Sequence, residues 1–278
     1  MPIRLTILCE NSVTVPFGVV GEHGFACYLE TGDGNYLFDT GQGFGIVQNA
    51  RVLGKDLAAV RTILLSHGHY DHTGGLPAVL AIRGPVDVVG HPEMFASRVW
   101  SDGKVERDIG IPFRRNDLKS LGARFRLVTG WTEVGPGVHL TGEVPRETPF
   151  ENGDTRMIRI GDDGGRTQPD PLGDDLSLVV ETPKGLVLVL GCAHAGMVNI
   201  VRHVQRRFPS ENIYGIIGGT HLGFSSDRQF DATLDVIEAL GIEKIGVSHC
   251  TGLANAAILH HRLKERFFFG AVGAVLEI

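Results

Sequence analysis

Apolar positions along this chain follow two rhythms. Short β-branched or aliphatic runs, bounded by Gly, Pro, Asp or Thr, recur at 3–8, 25–30, 36–38, 61–65, 86–89, 124–128, 138–141, 176–181, 186–190, 213–217, 244–247 and 274–278. These predict strands. Between them a helical period appears at 43–53, 76–82, 116–121, 197–208, 230–240 and 255–266. Neighbouring strands in each half, with helices interspersed, predict an α/β fold whose sheets carry helices on their outer faces. Residues 141–175 break the pattern: acidic, rich in Gly and Pro, and too long for an ordinary connection. They read as a lid or functional loop, or equally as a surface insertion without a role.

Composition narrows the classes. The chain has 278 residues, 42% hydrophobic and 21% charged, which excludes disorder for most of it and allows one large domain or two small ones. A net charge of −6 argues against a nucleic-acid backbone as partner. The four cysteines (Cys9, Cys27, Cys192, Cys250) are scattered with no C-x-x-C pair, which fits a reducing compartment. The N-terminus shows no signal-peptide run, and no stretch reaches the roughly 20 apolar residues of a membrane span. The expectation is a cytoplasmic protein with no membrane partner. Oligomeric state is not legible.

Twelve histidines carry the chemistry. The densest signal is Ser66-His67-Gly68-His69-Tyr70-Asp71-His72-Thr73-Gly74-Gly75, between an apolar strand and a helical stretch. On an extended strand exit His67 and His69 project to the same side and can grip one cation, while Asp71 and His72 point elsewhere as the chain turns. That geometry feeds two metal ions. Imidazoles with a carboxylate suit zinc, iron, manganese or nickel; calcium would want mostly oxygen. Nucleophile elbows, phosphate-binding loops and dinucleotide fingerprints are absent from the sequence.

H-x-H-x-D-H after a strand, with Leu37-Phe38-Asp39-Thr40-Gly41 upstream and His194 and His249 each following an apolar run, resembles the metallo-β-lactamase superfamily. The resemblance runs the length of the chain. It implies a single 1–278 domain: an αβ/βα four-layer sandwich of two mixed sheets covered by helices, with metals at the sheet edge. A narrower resemblance rests on Cys9-Glu10-Asn11, Thr141–Arg146, Gly191–Gly196, Gly218–Leu222 and Ser248–Gly252. It points to the branch named for the dihydropterin-ribofuranosylaminobenzene-phosphate synthase of methanopterin biosynthesis, many of whose members are described only as metal-dependent hydrolases.

The chain departs from the wider superfamily in one place. Where many members carry Gly-Asp, with an Asp that bridges the metals, this chain has Gly191-Cys192, and the usual ligand histidine is missing from the run 174–182. His194 is the natural replacement. Cys192 would ligate as a thiolate, or a water would bridge the ions alone.

The expected ligands are therefore His67, His69, Asp71, His72, Cys192, His194 and His249, holding two divalent ions, zinc foremost. His194 would share one ion with His67 and His69. Asp71, His72 and His249 would hold the other, with Cys192 between the two or just behind. Asp71 and His221 are the expected catalytic groups, Asp71 orienting hydroxide and His221 facing the same edge. Asp39 would fix a ligand histidine's tautomer. Glu10, Asn11 and Arg146 are candidate substrate contacts. His91 and His139 read as hydrogen-bonding residues, and His203, His260 and His261 as a solvated face. The reaction implied is metal-assisted hydrolysis of a small phosphorylated, cyclic-phosphate or pterin-like metabolite. The alternatives are a metal-stabilised binding or sensory module, or an iron-dependent oxidoreductase, although flavodiiron relatives place Glu where His69 stands.

Overall fold

A computed structural model describes residues 2–161 and 163–278. Its frame is two mixed seven-stranded sheets. The first runs, edge to edge, Val275–Glu277, Arg4–Cys9, Ala26–Thr31, Gly34–Phe38, Val60–Leu64, Val86–Gly90 and Ala123–Leu127. The second runs Phe267–Phe269, Lys244–Ser248, Ile213–Gly219, Gly185–Leu190, Ser177–Thr182, Val138–Leu140 and Thr132–Gly135.

Alternation along the strands sorts side chains into the layers. Cys27, Leu29, Phe38 and Leu64 of the first sheet meet Val187, Val189, Leu178 and Val180 of the second in a core between the sheets. The neighbouring residues face outward: Tyr28, Leu37 and Ile63 pack with Ile46, Leu76 and Val79. These last three lie on the helices Ile46–Val52 and Leu76–Arg83. Leu186, Leu188 and Leu190 pack under Ile200, Val201, Phe230, Leu234 and Leu259, from the helices Met197–Arg207, Asp227–Ala239 and Leu253–Leu263. A strand buried on both faces must be apolar throughout, and GLVLVL is. The result is the helix–sheet–sheet–helix sandwich that the family resemblance implies.

Sequence patterning misses a third sheet of four strands, in the order Arg166–Thr167, Met157–Ile160, Ser97–Ser101, Glu106–Asp108. The segment 141–175 thus contains two strands, paired to a second insertion at 97–108. The signal failed for a physical reason. The inward residue of Ser97–Ser101 is Arg98, wholly buried and neutralised by Asp170 at 2.7 Å and Asp174 at 2.7 Å. An ion triad replaces the apolar alternation that marks a strand. Phe267–Phe269 escaped notice because it follows a helix almost directly and is three residues long.

Parallel strands end together, and their carboxyl ends carry the chemistry. Phe38 leads into Asp39, Leu64 into the histidine loop, Leu190 into Gly191–His194, Gly219 into His221 and Ser248 into His249.

Candidate metal centre

Seven histidine, cysteine and aspartate side chains from three strand ends converge where the sheets meet. The imidazoles of His67, His69 and His194 form a tight cluster, with ring centroids 4.5, 4.8 and 4.9 Å apart. His72 lies 4.2 Å from His67 and 5.2 Å from His249, ring to ring. Cys192 joins both groups: one donor atom each from His67, Cys192 and His194, or from His72, Cys192 and His249, fall within 4.8 Å of one another. Its Sγ is 3.2 Å from His72 Nε2.

Asp39 organises both groups. Its Oδ1 accepts the Ser66 N–H at 2.7 Å, and its Oδ2 accepts the Ser66 hydroxyl at 2.6 Å and His72 Nδ1–H at 2.7 Å. Because the Ser66 proton is given to Asp39, Ser66 Oγ can only accept from His67 Nδ1, 2.8 Å away. One buried carboxylate thereby turns Nε2 of both His67 and His72 inward, bare on His67 and bared on His72 once its second proton leaves, the usual way a carboxylate sets a ligand tautomer. Gly191 is obligatory beside it, since a Cβ there would stand 2.2 Å from Ser66 Oγ.

The donor set fits a cation. His67 Nε2 and His69 Nδ1 stand 2.9 Å apart. Two Zn–N bonds of about 2.0–2.1 Å at the tetrahedral angle span roughly 3.3 Å. Nε2 of His194 and Nε2 of His69 are buried without a hydrogen-bond partner among the described residues. Unpartnered buried polar atoms are expensive, and a bound ion at this cluster would satisfy the His194 nitrogen.

Electrostatics prepare the same site. Burial, reinforced by neighbouring imidazoles, pushes His67 and His194 well below the ordinary histidine value. Burial takes His69 to about 3 and His221 to about 4. These rings are neutral and nucleophilic at pH 7. Burial alone would also lower His72, but the carboxylates of Asp39 and Asp71 prevail and raise it to about 9. Burial likewise opposes ionisation of Asp71, yet the charge of His72 holds it far below the usual carboxylate range. Burial pushes the Cys192 thiol well up, so a thiolate there needs cationic charge beside it.

Backbone strain collects here as well. Asp39, Ala193, His221 and His249 all have positive φ, between 51° and 60°. Such residues cost on the order of 1–3 kcal/mol each and cluster where function demands an orientation.

The remaining candidates fall to different places. His221 lines the cleft, its ring 4.5 Å from His194, and its N–H donates to Cys250 Sγ at 3.2 Å. Glu10 and Asn11 do not line the cleft; they hold His249 from behind. Glu10 Oε1 accepts the His249 N–H at 2.6 Å, and Asn11 Oδ1 accepts from His249 Nδ1 at 3.0 Å. Arg146 does not face the cleft as an anion clamp either. Its guanidinium donates to the carbonyls of His194 and Pro171, both at 2.6 Å, tying the 141–175 segment to the ligand loop. His91 and His139 pair with Glu143 and Glu181. His203 is not solvated but half-buried, reaching the Thr141 carbonyl, whereas His260 and His261 are exposed. Sequence reasoning passed over His23, whose Nε2 lies 3.3 Å from Asp71 Oδ2 and whose ring is 4.5 Å from His249.

A cleft of about 420 Å³ opens over these groups, a volume ordinary for small ligands. Asp154, Arg156 and Met157 of the 141–175 segment and Trp100 and Val105 of the other insertion form its outer wall, with Ile109 and Phe224. The Arg156 guanidinium sits 5.7 Å from the Trp100 ring and 5.4 Å from Phe224, braced by Asp154 at 2.6 Å.

Known proteins resemble this chain along nearly its whole length. A protein of Methanocaldococcus jannaschii named 7,8-dihydropterin-6-methyl-4-(β-D-ribofuranosyl)-aminobenzene-5′-phosphate synthase is 28% identical over 95% of this chain and 93% of its own. An uncharacterised protein of the same organism is also 28% identical, over 99% of this chain and all of that one. Among solved structures, a metal-dependent hydrolase of the β-lactamase superfamily superimposes with a TM-score of 0.86 at 29% identity, covering 99% of both chains. The family model for the metallo-β-lactamase superfamily matches residues 20–249, a span that takes in every candidate ligand from His67 to His249. By that match and by fold, the chain belongs to the metallo-β-lactamase superfamily.

Proposed function

We propose that the protein is a metal-dependent hydrolase acting on a small phosphorylated, cyclic-phosphate or pterin-like metabolite, in a cytoplasmic setting. The observation that carries this reading is the buried His67, His69, His194 and Cys192 cluster, continuous with His72, His249 and Asp71. His67, His69 and His194 would hold one divalent ion and Asp71, His72 and His249 the other, with Cys192 between them. Zinc suits the donors best; manganese, iron or nickel are also compatible. Ions bound there lower the pKa of a water toward neutrality and polarise a carbonyl or phosphoryl oxygen.

The chain's own groups do the rest. Asp71 presents a carboxylate that stays ionised and can orient a water. His221, neutral at the cleft wall, can take or give a proton near the leaving group. The apolar wall of Trp100, Met157 and Phe224 suits a flat ring, and Arg156 between two aromatic rings supplies a charge-bearing edge. The synthase relative is named for making a dihydropterin that carries a phosphate, which supports a phosphorylated pterin-like ligand for this cleft. The net charge of −6 favours a small molecule over a nucleic acid.

The test is turnover by metal-reconstituted protein across cyclic phosphates, phosphodiesters and esters, including pterin derivatives. Hydrolysis by wild type and none by His69→Ala supports the proposal. Failure of every replete preparation would leave a binding module as the better account.

A further inference from the structure

His23 belongs to no motif of the sequence analysis, yet its surroundings are closely built. Its carbonyl accepts from Gln42 Nε2 at 2.7 Å. Gly24 follows with φ 145°, and a Cβ there would stand 2.3 Å from the Asp71 carbonyl oxygen. Phe25 N–H donates to that same carbonyl at 3.2 Å. Residues 23–25 therefore lie directly against the backbone of Asp71, and the His23 side chain reaches its carboxylate.

The proton on the His23 ring can be assigned from Asn11. The Gly24 N–H, a donor without ambiguity, points at Asn11 Oδ1 at 3.3 Å. That fixes the amide orientation. The same oxygen faces His249 Nδ1 at 3.0 Å, so Nδ1 carries hydrogen and His249 Nε2 is bare. The amide nitrogen of Asn11, a donor only, faces His23 Nδ1 at 3.4 Å. His23 Nδ1 is then the acceptor and its hydrogen sits on Nε2, 3.3 Å from Asp71 Oδ2. His249 Nε2 approaches that same oxygen to 3.2 Å. One side-chain amide sets two opposite tautomers: a lone pair on His249 and a donor on His23.

We infer that His23 is a positioning residue for the second metal ion, donating its Nε2–H to the Asp71 carboxylate while Asn11 holds both His23 and His249 in the tautomers this requires. The inference rests on the proposed second ion at Asp71, His72 and His249. One donor atom each from His23, Asp71 and His249 also lie within 4.8 Å of one another, so direct ligation by His23 is the rival that the test must separate from donation. It also reassigns Asn11, from a substrate contact to the group that sets ligand tautomers on the second ion.

Three proteins test it: wild type, His23→Ala and His23→Gln, whose amide N–H can replace the imidazole donor. Each is titrated with zinc against a competing chelator, and imidazole nitrogen shifts of the zinc-loaded protein are read by NMR. Wild type should bind two ions, with His23 protonated on Nε2 and His249 on Nδ1. His23→Ala should weaken the second ion by about 10–100-fold, the usual cost of losing a ligand's supporting partner, and leave the first unchanged. His23→Gln should recover most of that loss. Equal affinity in His23→Ala overturns the inference while leaving the two-ion reading intact. So does a loss in His23→Gln as large as in His23→Ala, which would mark a ligand or a proton carrier, or a His23 ring protonated on Nδ1. Wild type binding fewer than two ions overturns both the inference and the proposed function.

Discussion

Replacing Asp39 with Asn strikes the single group that orients ligands of both proposed ions. The carboxylate accepts three hydrogen bonds, from Ser66 N, Ser66 Oγ and His72 Nδ1, at 2.6–2.7 Å and with no solvent exposure. Asn keeps one acceptor oxygen, and it stays on the Ser66 N–H. An NH2 group then faces Ser66 Oγ and His72 Nδ1, each of which needs an acceptor. Hydrogen bonds to a charged group contribute about 1.5–3 kcal/mol, so losing two at a site sealed from water should cost roughly 3–5 kcal/mol of folding stability. His72 would have to give up Nδ1–H and carry its proton on Nε2, which removes the lone pair. His67 loses its fixed tautomer through Ser66. Affinity should fall by about 10–100-fold at each ion. Urea unfolding of metal-free protein and chelator-competition titration measure the two effects separately. Wild-type affinity for both ions in Asp39→Asn would refute the tautomer argument, whatever the stability change.

Three further outcomes follow from the same geometry. His72 is raised from 6.5 to about 9 in the metal-free fold, so its contribution is complete below pH 6.5 and is lost as pH rises through about 9. Metal-free protein should therefore be less stable at pH 10 than at pH 6, and filling the His72 site near pH 7 should release about one proton, seen in calorimetry as an enthalpy that changes with the buffer; an enthalpy independent of buffer would contradict this. Arg98→Met strands the buried carboxylates of Asp170 and Asp174, and because Asp174 also accepts the Gly68 N–H at 2.9 Å, unfolding free energy should drop by about 3–5 kcal/mol, with a drop under about 1 kcal/mol counting against the triad. Gly191→Ala pushes a methyl onto Ser66 Oγ and should reduce metal content in elemental analysis, whereas full occupancy would show that the Ser66–Asp39 link is dispensable.

What the sequence made legible was local. His67, His69, Asp71 and His72 sit within six positions after one strand, so spacing alone places them together. Cys192, His194 and His249 each end an apolar run, and parallel strands end on one edge, so their convergence also follows from pattern. Asp39 was readable for the same reason. The rest depends on partners that spacing does not encode. Glu10 meets the His249 backbone across 239 positions of chain, and only the fold decides that it braces a ligand instead of facing a substrate. Arg146 finds the His194 carbonyl in the same way. His23 lies in a Gly-flanked loop with no periodicity, and Asp71, His249 and Asn11 reach it from three separate segments. The third sheet was hidden because a buried Arg98–Asp170–Asp174 triad stands where a strand is expected to be apolar.

Diffraction from metal-reconstituted crystals at wavelengths on either side of the metal absorption edge tests the central claim most directly, because it identifies the ions and their ligands together. The account predicts two anomalous peaks. One should lie among His67, His69 and His194, the other among Asp71, His72 and His249, with Cys192 Sγ adjacent to both. No peak in this cluster, or one with His194 turned away from His67 and His69, would contradict it.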